Sequence, residues 1–100
     1  MKTIFIRQAK YLHDYCLAVQ FTTGETSEVD LSAFLEQEGV GVFAPLKNKD
    51  FFKSFQFNPN TQTIEWDNGA DIAPEYLYFL AYQNKYELQG KFKQWGYLAA

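Results

Sequence analysis

The sequence predicts a two-layer α+β fold in which an antiparallel sheet, built from two β-hairpins, carries helices packed on one face. Two pairs of segments alternate apolar and polar residues with a period of two, which is typical of strands with one buried face. The first pair flanks a turn at Gly24 and the second pair flanks a turn at Pro59. After the second pair, apolar residues recur at helical spacing from Pro74 onwards, which indicates a helical layer.

The first hairpin is predicted from residues 15–21 and residues 26–31. Large apolar residues occupy every second position of residues 15–21, and Gly24 supplies the backbone freedom for the turn that follows. Upstream, residues 3–6 are β-branched or aromatic and predict a short strand, whereas residues 8–14 are predicted to be connecting structure.

A short helix and one further helical turn are predicted between the hairpins. The short helix covers residues 32–38, with Ser32 as its N-cap because a serine hydroxyl accepts a backbone N–H well at that position. Either Asn48 or Asp50 is expected to cap the further turn, which places two phenylalanines that follow it in the chain.

The second hairpin is predicted from strands over residues 53–57 and 61–66. A helix then begins at Pro74 and is predicted to end at about Tyr82. Apolar residues at helical spacing predict a second helical segment to about Trp95, since a glycine between the two weakens one continuous helix.

The chain is organised around a corner over residues 66–78, where a strand ends, turns and gives way to the helix. Asn68-Gly69 favours a tight turn because both residues tolerate a positive φ. Pro74 suits the first helical position, where its missing N–H would be unpaired in any case. The residues that we assign to this structural motif are Trp66, Asn68, Gly69, Asp71, Pro74, Glu75, Leu77 and Tyr78.

This corner resembles the signature of a bacterial family known as domain of unknown function 2442. The shared pattern is W-x-N-G-A-D-I-A-P-E-x-L-Y, and the resemblance covers residues 11–78. Further matching residues lie upstream: Tyr15, Leu17, Val19, Phe21, Gly24, Glu25, Val29, Asp30, Leu31, Ser32, Leu46 and Phe52. The resemblance implies no activity, because none is established for the family. Some relatives look like one partner of a toxin–antitoxin-like gene pair, and others carry an added helix-turn-helix domain.

The resemblance ends before the C-terminus, since the chain departs from the family pattern after Phe79. We therefore divide the chain into a family-like α+β domain over residues 1–80 and a C-terminal helical extension over residues 81–100. The first domain is expected to close its own core. The apolar residues of the extension then need another cover, so the extension is predicted to pack on that domain or on a partner.

The charge and composition disfavour several classes of protein. The formal net charge is −3 and the isoelectric point is about 5.0, whereas nucleic-acid binding usually requires a basic face. No apolar run approaches the length of a membrane span, and the apolar part of the N-terminus is too short for a signal peptide. We therefore expect a cytoplasmic protein, with nucleic acid disfavoured as a partner and no membrane.

The residues offer little for catalysis or metal binding. His13 is the single histidine and Cys16 the single cysteine, and the alternation of the strand around Cys16 does not bring the two together. They also supply too few ligands for the usual zinc site. Asp67, Asp71 and Glu75 recur every four residues at the corner, where turn and helix-terminus chemistry accounts for them. We therefore predict no enzyme activity, no cofactor, no catalytic residue and no metal-binding residue.

Aromatic residues make up 19% of the chain, so we expect most of them in the core and the surplus at a contact surface. The candidate interface residues are Tyr76, Phe79, Tyr82, Leu88, Phe92 and Trp95. Leu88, Phe92 and Trp95 form an apolar helical stripe, which is predicted to dock in a homodimer. The competing interpretation is that the extension folds back on its own sheet.

These observations together predict a non-enzymatic cytoplasmic protein–protein interaction module. From the resemblance we expect one member of a toxin–antitoxin-like pair, whose partner is another protein encoded by a neighbouring gene. The alternative is a nucleic-acid-binding transcriptional regulator, which the relatives with an added helix-turn-helix domain favour.

Overall fold

The structure, a computed structural model, describes residues 4–98, and these form an α+β fold as predicted. Within that range five strands form two antiparallel sheets, and helices pack with them around one hydrophobic core. The two predicted hairpins therefore lie in separate sheets of three and two strands. Residues 1–3 of the predicted family-like domain and residues 99–100 of the predicted extension lie outside the described part of the chain.

The larger sheet is a meander of β1 (Ile6–His13), β2 (Cys16–Phe21) and β3 (Thr26–Asp30), in that order. Two predictions are wrong here. The strand expected over residues 3–6 begins only at Ile6, and most of residues 8–14, which were expected to be connecting structure, belong to the same strand β1. β1 pairs with β2 along its whole length. These backbone hydrogen bonds to a neighbouring strand outweigh the polar composition that argued against a strand.

β2 divides its side chains between the two faces of the larger sheet, as its alternation predicts. Leu17, Val19 and Phe21 are fully buried on the inner face. The helix α3 (Pro74–Tyr82) covers this face, and the ring of Phe21 meets the ring of Tyr78 edge to face with centroids 5.2 Å apart. The inner face of the sheet and α3 thus form the centre of the core.

Between the two sheets the chain forms the helix α1 (Ser32–Glu38), a 3-10 helix (Gly41–Lys47) and the short helix α2 (Lys49–Phe52). Ser32 is the first residue of α1 and not its N-cap, which corrects the prediction. Leu31 is the N-cap and makes no side-chain capping bond, whereas the side chain of Asp30 accepts the N–H of Ser32 at 2.9 Å. Asn48 caps α2 as predicted, because its side chain accepts the N–H groups of Asp50 and Phe51 at 2.9 and 3.2 Å.

The smaller sheet pairs β4 (Gln56–Asn58) with β5 (Thr63–Glu65). Both strands are shorter than predicted, and Gln62 in the turn has a φ of 57°. The carbonyl of Gln62 accepts the N–H of Ile6 at 2.9 Å, which joins this sheet to the start of β1. Glu65 also forms an isolated bridge with Asp71, so the smaller sheet leads directly into the corner before α3.

After α3 come a 3-10 turn (Tyr86–Leu88) and the helix α4 (Gln89–Trp95). Phe92 is fully buried, with ring centroids 5.1 Å from Phe79 and 6.3 Å from Tyr78 of the same chain. The extension thus packs on α3, which itself crosses the predicted boundary at residue 80. Phe92 is thus covered by its own chain, as the competing interpretation of the extension expects, and the homodimer itself stays a prediction.

The C-terminal segment ends α4 with a tight reversal at Gly96. This glycine has a φ of 89°, a conformation that residues with a side chain rarely adopt. Its N–H binds the carbonyl of Lys93 and the N–H of Tyr97 binds that of Phe92, both at 3.0 Å. The reversal carries Tyr97 back to α3, where its ring centroid lies 5.2 Å from that of Tyr76. In the described part of the chain, no helix is long and apolar enough to cross a membrane.

Candidate functional site

The corner before α3 is held by hydrogen bonds of its backbone and of two side chains. The Trp66 N–H binds the carbonyl of Ala70 at 2.8 Å, and the Gly69 N–H binds the carbonyl of Trp66 at 3.0 Å. Gly69 has the positive φ that the turn needs, at 92°, whereas Asn68 does not have a positive φ. Asn68 contributes through its side chain instead, since Oδ1 accepts the N–H of Ala70 at 3.1 Å. The buried indole of Trp66 donates to the carbonyl of Phe52 at 2.8 Å.

Asn68 also ties the corner to the 3-10 helix. Its Nδ2 donates to the carbonyl of Val42 at 2.8 Å, across 26 residues of sequence. This bond fixes the distance between the two chain segments on either side of it. A groove lies next to this bond. The corner forms one side of the groove, and the chain around Val42 forms the other side.

The groove has a volume of about 480 Å³ and lies between α1, the start of the 3-10 helix, the start of α3 and the returning C-terminal segment. Phe34 and Phe43 contact each other edge to face with centroids 5.2 Å apart, and Phe34 lies 5.6 Å from Tyr76. We call it the tyrosine groove; its lining residues are Phe34, Glu38, Val40, Phe43, Asp71, Ile72, Ala73, Tyr76 and Tyr97.

Exposed apolar side chains continue from the tyrosine groove onto the surface. Val40, in its lining, is 73% exposed, and Val42 beside it is 50% exposed. The apolar surface at this end of the groove is thus open to solvent.

The electrostatic character of the tyrosine groove is acidic, with hydroxyl groups that stay protonated. Glu38 and Asp71 are its charged lining residues. Burial raises the pKa of the Tyr76 hydroxyl, and the carboxylate of Glu38 adds to the effect. Burial likewise raises the pKa of Tyr97, with a contribution from Glu75. Both tyrosines can therefore donate hydrogen bonds at neutral pH, next to carboxylates that attract a cation.

The remaining residues of the predicted motif position α3. Pro74 occupies the first turn of the helix, as predicted, and Leu77 is fully buried in the core. The hydroxyl of the buried Tyr78 donates to Oε1 of Glu25 at 3.1 Å. Burial and, second, this hydrogen bond raise the pKa of Tyr78 to about 12. The hydrogen bond to Glu25 joins α3 to the turn between β2 and β3.

The structure brings only part of the predicted interface to the surface. Tyr76 lines the tyrosine groove, whereas Phe79 and Phe92 are buried in the core. The other predicted residues are partly buried against that core: Tyr82, Leu88 and Trp95. The sequence did not predict the side of the groove that contains Val40. The available signal was that Val40 lies between two glycines, where an apolar side chain has little local reason to be buried.

His13 and Cys16, which the sequence appeared to keep apart, are opposite each other on β1 and β2. Together with Glu28 of β3, each offers a potential metal-binding atom within 4.8 Å of those of the other two. The prediction that strand alternation separates His13 from Cys16 is therefore wrong. Burial, and next the carboxylate of Asp30, raise the pKa of the Cys16 thiol. This disfavours Cys16 as a nucleophile at neutral pH.

Comparison with known proteins yields a family and a fold. No curated protein matches the chain. A solved structure titled "Putative DNA Binding Protein NE0471" from Nitrosomonas europaea ATCC 19718 superposes with a TM-score of 0.71 at 20% sequence identity. The superposition covers 97% of this chain but only 63% of that one, and at this identity it shows a shared fold. The pattern of the family described as "Protein of unknown function (DUF2442)" matches residues 6–83. Since that match covers most of its length, the chain belongs to the DUF2442 family.

Proposed function

We propose that the protein is a non-enzymatic cytoplasmic interaction module that binds a segment of another protein in the tyrosine groove. The observation that carries the proposal is the aromatic groove of about 480 Å³ with Val40, 73% exposed, in its lining. Interfaces commonly centre on aromatic side chains that surround an apolar anchor from the partner. The family motif contributes Asp71, Ile72 and Ala73 to the lining of this groove, next to Tyr76.

The lining of the tyrosine groove favours a partner segment with an apolar residue next to a basic one. Phe34, Phe43 and Tyr76 offer ring surfaces to the apolar side chain. Glu38 and Asp71 offer carboxylates to a lysine or arginine, and charge-assisted hydrogen bonds of this kind are stronger than neutral ones. An acidic segment would meet like charges and is expected to bind more weakly.

The residues around the groove support a binding role in preference to catalysis. Its titratable lining groups are two carboxylates, Glu38 and Asp71, and two tyrosines whose pKa values are raised. The single histidine of the chain is His13, which lies on the larger sheet and does not line the groove. Histidine, the most frequent general base, is thus not among the lining residues.

A site-specific photo-crosslinker at position 40 tests the proposal. The chain carrying it is mixed with the product of the neighbouring gene, the partner that the family resemblance implies, and irradiated. The matched control carries the same crosslinker at position 86, because Tyr86 is 90% exposed and lies outside the groove. We expect a covalent adduct from position 40 that disappears when Tyr76→Ala or Phe43→Ala is added.

Two results would count against the interaction module. The first is equal crosslinking from positions 40 and 86, which indicates random collision. The second is the absence of any adduct at micromolar concentrations with that partner, which removes the reason for calling the groove a protein-binding site.

A second candidate function is nucleic-acid binding, which rests on the name of the structural neighbour NE0471. In this chain Lys91 and Lys93 lie on α4, and the Lys91 ammonium lies 5.8 Å from the ring centroids of Tyr78 and Trp95. A basic helix with aromatic neighbours is one of the arrangements that contact phosphates and bases. The net charge of −3 opposes such binding.

Fluorescence anisotropy with a labelled DNA duplex at low salt decides this second candidate. Phosphate contacts predict binding that weakens steeply as salt is added and that falls in Lys91→Gln and Lys93→Gln. Binding that is undetectable at low salt, or unchanged in both variants, rejects the candidate.

A further inference from the structure

One cluster of side chains lies far from the tyrosine groove, on the outer face of the larger sheet. Cys16 of β2 is opposite His13 of β1 and opposite Asp30 of β3. Its neighbours in sequence alternate with it, so Leu17 points to the core and Cys16 points away from it. Three strands therefore contribute to one patch at the end of the sheet that contains the β1–β2 turn.

A β-bulge is the reason that a histidine reaches this patch. Tyr11 is opposite Leu17 and His13 is opposite Cys16, so β1 has one more residue than β2 between these pairs. Without the bulge Leu12 would be opposite Cys16, whereas in the structure Leu12 is exposed. Bulges commonly re-aim side chains at functional sites.

Cys16 is buried outside the main hydrophobic cluster. Its side chain is buried, at 6% exposure, yet it does not belong to the core cluster that contains Leu17 and Val19. The potential metal-binding atoms of His13, Cys16 and Glu28 instead lie within 4.8 Å of one another. The thiol of Cys16 thus faces polar groups, namely the His13 imidazole, the Glu28 carboxylate and the carboxylate of Asp30, which is opposite it on β3.

We propose that His13, Cys16 and Glu28 form a binding site for a zinc-class divalent metal ion. Thiolate, imidazole and carboxylate are the three ligand types that Zn²⁺ takes in proteins. Ligand atoms around tetrahedral Zn²⁺ lie about 3.3–3.8 Å apart, given bond lengths of 2.0–2.3 Å. His13 and Glu28 are exposed, so side-chain rotation of these two residues closes the remaining difference. Water fills the fourth position.

A carboxylate already orients the histidine. The Nδ1 atom of His13 lies 3.1 Å from Oδ2 of Asp14, and Oδ1 of Asp14 accepts from Lys49 at 3.1 Å. Metal-binding histidines usually give one ring nitrogen to a carboxylate and the other to the metal. With Nδ1 next to Asp14, Nε2 is the ring nitrogen left for the ion.

Titration of the full chain with Co²⁺, a spectroscopic substitute for Zn²⁺, tests the site. The chain has one cysteine and one histidine, so any thiolate-to-metal absorption band belongs to Cys16. At about pH 8, where ligand deprotonation is less costly, we expect this band to saturate at one Co²⁺ per chain. Cys16→Ser should abolish the band, and His13→Gln and Glu28→Gln should each weaken Co²⁺ binding at least about tenfold.

The matched control is Glu36→Gln, which makes the same charge change on the exposed face of α1 and should leave Co²⁺ binding unchanged. Circular dichroism without metal establishes that each variant is folded. Zn²⁺ should also raise the melting temperature of the unaltered chain but not that of Cys16→Ser. The proposal is overturned by the absence of a thiolate band up to millimolar Co²⁺. A band that is equally strong in His13→Gln and Glu28→Gln also overturns it.

Discussion

Phe92→Ala is the substitution that tests whether the C-terminal segment belongs to the core of its own chain. Phe92 is fully buried, and its ring contacts those of Phe79, Tyr78 and Trp95 with centroid distances of 5.1, 6.3 and 5.8 Å. Truncating such a residue removes buried apolar area and leaves a cavity, which costs about 3–5 kcal/mol. Domains of this size have free energies of unfolding of about 5–15 kcal/mol, so the loss is a large part of the total.

Urea unfolding followed by circular dichroism measures this loss. The control is Tyr86→Ala, an aromatic truncation in the same segment at a residue that is 90% exposed, with an expected change within about 0.5 kcal/mol. The measurement is repeated at two protein concentrations. If Phe92 packs within its own chain, the urea midpoint should not depend on protein concentration. If Phe92 lies in a dimer interface, the midpoint should rise with protein concentration.

The interpretation of the tail is refuted if Phe92→Ala and Tyr86→Ala change the free energy of unfolding by similar small amounts. A midpoint that rises with protein concentration in the unaltered chain and not in Phe92→Ala would also refute it. That result would return Phe92 to an interface between two chains.

Three further substitutions test individual contacts. Tyr78→Phe should flatten the pH dependence of stability at high pH. The pKa of Tyr78 is raised from 10.0 to about 12 in the folded chain, so its contribution is complete below pH 10 and is lost as the pH rises towards 12. Urea unfolding at about pH 9 and pH 11.5 should show a loss that is about 2 kcal/mol smaller in the variant; an equal loss contradicts the raised pKa of Tyr78 in the folded chain. Asn48→Ala removes the cap of α2 and should lower the free energy of unfolding by about 1 kcal/mol, with no change if the cap is unimportant. Trp66→Phe leaves the carbonyl of Phe52 without its indole donor and should cost about 1–3 kcal/mol by calorimetry, whereas a melting temperature equal to that of the unaltered chain would argue against that bond.

Local chemistry made much of the fold predictable. Pro74 marks the start of α3 because its ring fixes φ and removes an N–H that a helix start does not need. Gly69 marks the turn because its φ of 92° suits glycine. Asn68 was expected to share that conformation but acts through side-chain hydrogen bonds to Ala70 and Val42. The residue types Asn and Gly therefore predicted a turn at this position. They did not predict that Asn68 would act through its side chain, because that role depends on the carbonyl of Val42, 26 residues away in the sequence.

The candidate sites were less predictable because each depends on contacts between distant residues. The tyrosine groove joins Phe34, Asp71 and Tyr97, and no spacing rule relates residues so far apart. The bulge that places His13 opposite Cys16 depends on the register between β1 and β2. A register shift of one residue changes which side chain faces the partner, and alternation along a single strand carries no information about it.

The packing of the C-terminal segment and the shape of the tyrosine groove are physically linked. The family match ends at residue 83, so Phe92 and Tyr97 lie beyond it, yet Tyr97 lines a groove whose other walls come from the matched region. Phe92 anchors α4 on α3, and Gly96 then turns the chain so that Tyr97 meets Tyr76. If a partner segment binds in the tyrosine groove as proposed, its contact with Tyr97 requires the docked tail. By linkage, such binding stabilises the docked tail. Phe92→Ala weakens docking and is therefore expected to lower the affinity for the partner without removing a direct contact with it.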